Sequence, residues 1–428
     1  MRRVLFVFPT DWDRKHLGAD PGPPGRAGFE TILAEPTDAT CPSDLDVLDY
    51  VERTAREFGG RIDGVTSSSD YPGATVAAAI AAKLGLPGAL PKACLEAAHK
   101  YYSRIAQRDA APEATPEFAL VDPGRPCASV SNLIGYPCFV KPVRGAFSMF
   151  SRRVDSAEDL ERFLGRADVK EYLEYYIAMF NRLVRAYAPF EHDGRFFIAE
   201  RLLRGDQVTV EGFSFEGGVE ILGVVDSVMY PGTRSFARFD YPSALPEAVT
   251  GRMEDVARRI IRRIGLDNSL FNVEMFHDPS TGRIDVIEVN PRMCGQFADL
   301  YELVDGTHGY DVALSLAVGR RPAVRRRGGR YPVASSFALR VFEPVEVVRA
   351  PGAADLRAAE SLHFGTRAWS ECRTGETLGA LESAEDGASL RYAVINAGAA
   401  DRRSAIEVSE RVRERLGFEF RRAGAPSP

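Results

Sequence analysis

NVEMFHDPSTGRIDVIEVNPR, residues 272–292, decides how this chain is read. Pro279–Ser280–Thr281–Gly282 is a turn signal between two runs of alternating apolar character. A three-residue loop, Ser280–Gly282, with the glycine left-handed, closes a hairpin that sets Pro279 opposite Arg283. That register puts Glu274 opposite Glu288. Period-2 alternation then places Val286, Glu288, Asn290 and Arg292 on one face, and Ile287 and Val289 on the other, toward the core. A one-residue slip would reverse the two faces.

Two carboxylates and an amide oxygen converging on one spot form a hard oxygen site. Magnesium suits such a site, because it takes few protein oxygens and completes its shell with substrate phosphates. Without a cation, carboxylates directly opposite each other repel. The exposed polar face of an edge strand produces the same short pattern, and Glu-x-Asn-x-Arg alone does not separate the two.

Upstream segments offer partners for such a site. Phe139–Val140–Lys141–Pro142 ends a strand in a lysine and leads into Arg144–Gly145–Ala146–Phe147–Ser148. Lys141 as a point charge, with backbone N–H groups and Ser148 as donors, can hold phosphates; an ordinary turn with a snorkelling lysine reads the same way. His99–Lys100 opens a helix and offers a second phosphate charge. The strand Phe196–Leu203 ends in Glu200–Arg201–Leu202–Leu203, and an extended backbone can read an adenine edge.

The rest supplies a frame. Val4–Phe8 and Ile62–Thr66 read as strands, and Asp44–Phe58 and Thr75–Leu84 as helices, the βαβ pattern of a doubly wound sheet. No G-x-G-x-x-G follows the first strand, so a dinucleotide site gets no support. Tyr172, Leu173, Tyr176, Ile177, Phe180, Leu183, Val184 and Tyr187 recur at helical spacing, predicting one long helix over 169–187 whose aromatic stripe packs in a core. Glu254–Ile264 predicts an amphipathic helix. The arginines between 320 and 330 read as a solvated linker, and a final helix is expected near Ser404–Leu416.

Composition limits the alternatives. The chain has 428 residues, 45% hydrophobic and 27% charged, with net charge -6. That is a globular chain with no general pull toward nucleic acid or an anionic membrane. Its six cysteines (41, 94, 127, 138, 294 and 372) form no metal-ligand spacing and read as reduced thiols of a cytoplasmic protein. No apolar stretch approaches the ~20 residues that span a bilayer.

Taken in order, AAKLGLPG (81–88), HKYYSR (99–104), APEATPEF (111–118), FVKP (139–142), AERLLRGDQVTVEGFSFEGG (199–218) and FNVEMF…DVIEVNPR (271–292) resemble the ATP-grasp superfamily. Within it the resemblance is to carboxylate–amine ligases such as L-amino acid ligases; biotin carboxylases and D-alanine–D-alanine ligases are more distant. It runs from about residue 60 to 320. The resemblance implies a Rossmann-like domain over 1–95 and an ATP-grasp domain over 96–320 with a lid of about 130–200; with the residues of 321–428, which read as mixed strands and a final helix, the expected chain is α/β and α+β. It further implies that Lys100 and Lys141 contact ATP phosphates, and that Glu200 and the backbone through Leu203 hold adenine. Gln207 stands where relatives often carry a ribose-binding glutamate. Glu274, Glu288 and Asn290 would hold Mg2+ (or Mn2+), and Arg292 would lie beside the reacting carboxylate. The implied reaction joins small-molecule carboxylate and amine substrates, amino acids foremost, through an acyl phosphate, without nucleic-acid or membrane partners, and a homodimer is compatible with it. Bicarbonate-dependent carboxylation and a nucleotide-binding module without turnover stay open. Three features depart from the family pattern: the glycine-poor loop VRGAFSMF, Gln207, and His99 where aspartate is common. Met293–Phe297, Tyr301, His308 and Arg340 are candidate pocket residues.

Overall fold

Val4, Leu5, Phe6 and Val7 are all buried, as a strand covered on both faces requires. They form β1 (Arg2–Val7), which leads into α1 (Asp11–Leu17), capped by Thr10 in a capping box with Asp13. β2 (Phe29–Ala34), α2 (Val47–Phe58), β3 (Gly64–Thr66) and α3 (Gly73–Leu84) follow. The three strands form a parallel sheet ordered β2-β1-β3. In this computed structural model the described residues are 1–18, 26, 28–36, 45–125, 130, 132–145, 149–379 and 389–423. Leu5 and Val7 pack with residues of α2 and α3, whereas Val4 and Phe6 belong to a second core that includes Phe213, Leu222 and Leu270 as well as Leu300, Tyr310 and Ala313.

α4 (Pro91–Ala98) and α5 (Lys100–Ala110) lead to a four-stranded antiparallel sheet. It is built from β4 (Phe118–Val121), β5 (Cys138–Pro142) and β6 (Arg152–Val154), with α6 (Ala157–Leu164), α7 (Ala167–Glu171) and α8 (Ala178–Tyr187) before its last strand, β7 (Phe197–Arg201). The single helix expected over 169–187 is broken by a π-turn at Tyr172–Tyr176. The cause is a side chain from elsewhere. The Tyr71 hydroxyl donates to the Tyr176 carbonyl (2.9 Å) and accepts from the Phe180 N–H (3.0 Å), standing where those two groups would bond each other in a regular helix.

The remaining elements are β8 (Asp206–Phe215), β9 (Gly218–Met229), β10 (Phe236–Tyr241), α9 (Glu247–Ile264), β11 (Ser269–Asp278), β12 (Arg283–Asn290), α10 (Ala298–Asp305), α11 (Gly309–Ala317), β13 (Val333–Val341), β14 (Val345–Arg349), α12 (Ala353–Glu360), β15 (Arg367–Ser370), β16 (Thr377–Leu378), β17 (Leu390–Ala399), α13 (Arg402–Leu416) and β18 (Glu419–Arg422). Eight of these strands form one antiparallel sheet, ordered β12-β11-β8-β9-β10-β13-β17-β15. The segment after residue 320 therefore continues this sheet. Its arginine run is no free linker: the Arg326 guanidinium donates to the Ile221 and Leu222 carbonyls, and the Arg327 N–H to Asp305 (2.7 Å).

α9 presents Met253, Val256, Ala257, Ile260, Ile261 and Ile264 at helical spacing to Val208, Val210, Phe271, Val273, Met275, Val286 and Val289 of the sheet. Burying each larger side chain is worth about 1.5–3 kcal/mol. The opposite face of β8, β11 and β12 is then free to carry polar groups.

The hairpin differs from expectation in two places that offset each other. Its loop is four residues, Pro279–Gly282, with Asp278 opposite Arg283. The Asp278 carboxylate favours this loop by accepting from the Ser280 N–H (2.9 Å) and hydroxyl (2.6 Å). A β-bulge at Ile287 then restores the Glu274–Glu288 pairing. The bulge also reverses the assignment of Val286 and Ile287: Val286 is wholly buried in the core and Ile287 is not.

The turn between β7 and β8 needs Gly205, which has φ +112°, and a Cβ there would lie 2.0 Å from the His277 carbonyl oxygen. Gly205→Ala is expected to cost about 1–3 kcal/mol or more and to lower the thermal melting temperature. Gly217→Ala, at φ +75° with nothing within 4 Å, is expected to cost less; equal shifts would sink this account of the turn.

Candidate active site

The polar face of the sheet starts from alternation. Val208 and Val210 face α9, so Thr209 and Glu211 face away; Val273 and Met275 do likewise for Asn272 and Glu274. Register then aligns Glu211–Asn272–Asn290 and Thr209–Glu274–Glu288 in two rows across β8, β11 and β12. Within this patch, the Asn290 amide donates to Glu274 (3.4 Å) and to Asn272 (3.4 Å). Gln207 donates to Glu274 (3.0 Å), so the residue expected to meet ribose touches an expected metal ligand.

The two paired glutamates differ electrostatically. Burial, and then the adjoining Glu288, raise the Glu274 pKa, against the pull of Arg292 and Lys100. Burial acts the same way on Glu288, but Lys100 and Lys141 override it and hold that carboxyl below its usual value. The Lys100 ammonium lies 3.1 Å from Glu288 and donates to the Gly145 carbonyl (3.2 Å).

Lys141 is itself held. Its ammonium pairs with Glu200 (2.8 Å), whose other oxygen accepts from Arg104 (2.6 Å). Arg104, Lys141 and Glu200 are 1%, 5% and 2% exposed. Burial alone would raise Glu200; Arg104 and Lys141 hold it ionised. Arg104 also donates to the Ile287 carbonyl (2.8 Å), and Lys141 approaches the same oxygen (3.4 Å). The bulge thus turns a carbonyl out of the ladder to receive two cations. Both Glu200 oxygens are occupied, so this carboxylate positions a lysine instead of facing an open crevice. Leu203 lies just beyond β7, half-buried in the irregular stretch before Gly205. Ser148 lies outside the described residues.

Arg292 follows directly on the strand. Its guanidinium lies 3.9 Å from Asp70, whose second oxygen accepts from Arg144 (2.9 Å). Burial would raise the Asp70 carboxyl, but Arg144, Arg292 and Lys100 hold it below its usual value. Arg144 lies over the Tyr71 ring (4.8 Å), and its carbonyl accepts from the Tyr172 hydroxyl (2.7 Å). The turn after Arg292 is tied back to the sheet by Glu211, which accepts from the Cys294 N–H (2.5 Å) and the Asn272 amide (3.2 Å). Burial pushes the Glu211 carboxyl up to about 7.

Seven expected residues therefore meet at one place: Lys100, Lys141, Gln207, Glu274, Glu288, Asn290 and Arg292. Arg104, Asp70 and Glu211 join them unannounced. Arg104 lies one helical turn from Lys100, and Asp70 follows the C-terminal end of a parallel strand, where ligands gather in such sheets; both signals were available in the sequence. Of the candidate pocket residues, Tyr301 neighbours Glu211; burial raises its hydroxyl pKa, and Glu211 with Cys294 raises it further, while His308 and Arg340 make contacts away from this patch. Tyr301 packs edge-on against Tyr241 (4.8 Å), His308 caps α11 through Tyr310 N (3.2 Å), and Arg340 donates to Phe236 O (3.0 Å).

The donor chemistry fits a divalent metal. Glu274 and Glu288 lie in register, one of them with no lysine at hydrogen-bonding distance among the described residues, and Asn290 keeps an amide oxygen beside them.

The model of the ATP-grasp domain family matches residues 134–299, and the chain carries an ATP-grasp domain there. Carbamoyl phosphate synthase large chains are similar over a short stretch: that of Thermus thermophilus is 43% identical over 70 residues, and that of Clavibacter sepedonicus 39% over 69. These matches span 16% of this chain and only 6–7% of those relatives. The fold is shared along almost its whole length with an L-amino acid ligase from Bacillus licheniformis (TM-score 0.68, 17% identity, 98% of this chain and 99% of that one). A biotin carboxylase from Campylobacter jejuni also shares it, at TM-score 0.64, 15% identity, and 98% and 92% coverage.

Removing Arg104 would leave Glu200 with one cation and strip the Ile287 carbonyl of its nearer donor. Arg104→Met is expected to destabilise the protein by about 3–5 kcal/mol, seen as a lower thermal melting temperature. Arg403→Met, at an exposed i,i+4 pair, is expected to leave melting unchanged. Equal behaviour of the two variants would refute the role given to Arg104.

Proposed function

We propose that this ATP-grasp protein is an ATP-dependent carboxylate–amine ligase that joins two small molecules, amino acids foremost, by an amide bond. The observation that carries the proposal is the in-register pair Glu274–Glu288, flanked by Asn290 and Lys100 and followed by Arg292 at the strand end. A carboxylate–phosphate exchange needs charge neutralisation at the phosphates and a donor at the attacked acid, and this patch can supply both. The resemblance to amino-acid ligases adds substrate class to that reading.

In the proposed reaction a substrate carboxylate oxygen attacks the γ-phosphorus of ATP, forming an acyl phosphate and releasing ADP. An amine nitrogen then attacks the acyl carbon, loses a proton and expels phosphate, leaving an amide. Mg2+ or Mn2+, held by Glu274, Glu288 and Asn290, supplies positive charge at the phosphates when bound. Lys100 and Lys141 add their charges at the same place, and Glu200 with Arg104 fixes Lys141. Gln207 steadies Glu274 from the neighbouring strand. Adenine falls to the backbone around Leu203, because the Glu200 carboxylate is engaged elsewhere. Arg292, steered by Asp70, donates to the oxygens that gain charge in both steps. Catalysis is then chiefly positioning and charge stabilisation, in a cytoplasmic enzyme with small-molecule partners.

The test is ADP release over pairs of amino acids, with mass spectrometry of any product. On a productive pair, Arg292→Met is expected to lower kcat about 100- to 1000-fold. Glu288→Ala is expected to abolish magnesium-dependent turnover. ADP release that requires bicarbonate and no amine would replace this reading with a carboxylation, and full activity of Glu288→Ala would overturn the site.

A further inference from the structure

α1 follows the first strand of the parallel sheet, at the end of the strands where ligands gather. It carries Trp12, Asp13, Lys15 and His16. Two links tie it to the candidate active site. A Cβ on Gly295 would lie 2.6 Å from the Trp12 Cβ, so Trp12 rests on the turn three residues past Arg292. Asp13 accepts from the Ser68 hydroxyl (2.7 Å), and Ser68 lies two residues before Asp70, the partner of Arg292.

The Lys15 ammonium sits 5.1 Å from the Trp12 ring centre and 5.0 Å from that of Trp369, which meets Trp12 edge-on at 4.9 Å. Lys15 is half-buried, and among the described residues no carboxylate stands within ion-pair distance of it. The adjacent Arg391 is already neutralised, donating to both Glu371 oxygens (2.6 and 2.8 Å) and to Gln296 (3.3 Å). Glu371 and Asp11 act on Lys15 only at longer range, and each is engaged by an arginine, Arg391 and Arg14, so the Lys15 ammonium stands between two indoles, beside the turn that follows Arg292, with no ion-pair partner of its own among the described residues. Aromatic faces offset part of an ammonium's lost hydration, and desolvation still draws its pKa down to about 8. A bound anion would complete the arrangement.

We propose that Lys15 anchors the α-carboxylate of the amino acid that supplies the amine, with Trp12, the half-buried one of the two indoles, packing against that substrate's apolar side chain and the buried Trp369 backing Trp12. This rests on the ligase reading and extends it: the substrate keeps a free carboxylate at the far end from its reacting nitrogen.

Trp12 and Trp369 are the chain's two tryptophans, so indole emission reports on this corner alone. The full chain, without ATP, is titrated with each non-fluorescent common amino acid and with the carboxamide of every one that responds. A saturable emission change with amino acids of apolar side chain is expected, with carboxamides binding at least about 10-fold more weakly. Lys15→Met should weaken the carboxylate forms about 10- to 100-fold and leave the carboxamides unchanged, and Lys15→Arg should restore part of the loss. Equal binding of acid and carboxamide, no response across the panel, or a Lys15→Met titration matching the parent would overturn the anchor. Loss of ADP release for every pair, with the titration intact, would instead sink the ligase reading and leave Lys15 as a carboxylate site.

Discussion

A carboxylate enclosed between two cations organises the centre of this molecule. Glu200 is nearly inaccessible and would not stay ionised alone; Arg104 and Lys141 keep it so. Each of the three comes from a different element: α5, β5 and β7. Their mutual demand fixes the small sheet against the large one, because Arg104 and Lys141 both reach the Ile287 carbonyl on β12. The bulge that frees this carbonyl also decides which residues of β12 face the core. Removing the charged trio would therefore disturb a strand register as well as an ion pair.

The same constraint reaches the patch above. With Lys141 tethered to Glu200, Lys100 is the cation nearest Glu288, and Glu274 is left to compete with Glu288 in a half-buried setting. That imbalance makes the patch an incomplete ionic arrangement. Asp70 adds a second centre, pairing Arg292 with Arg144 and thereby joining the loop after β3 to the strand that carries the carboxylates.

The sequence made the main elements and the polar face visible because both follow from local periodicity. Val208, Val210, Val273 and Val289 alternate with polar residues, and nothing long-range is needed to see it. What escaped depends on partners far away in the chain. The Ile287 bulge answers to Arg104, more than 180 residues earlier. The break at Tyr172–Tyr176 answers to the Tyr71 hydroxyl. The pairing of Glu274 with Glu288 follows equally from a three-residue loop with an unbroken strand and from a four-residue loop with a bulge, two differences that cancel. Ser148 lies outside the described residues, and Glu200 and Gln207 turned out to contact Lys141 and Glu274, contacts that a linear pattern does not encode.

The continuous eight-stranded sheet has one more consequence. β10 is paired on its far side by β13, from beyond the arginine run, and β13 in turn by β17. A chain ending near residue 320 would leave the N–H and C=O groups of β10 without partners along an edge that already packs apolar side chains underneath. Such an edge recruits strands from other molecules. The last hundred residues are thus not a detachable accessory: they are what keeps the central sheet from becoming a template for its own aggregation.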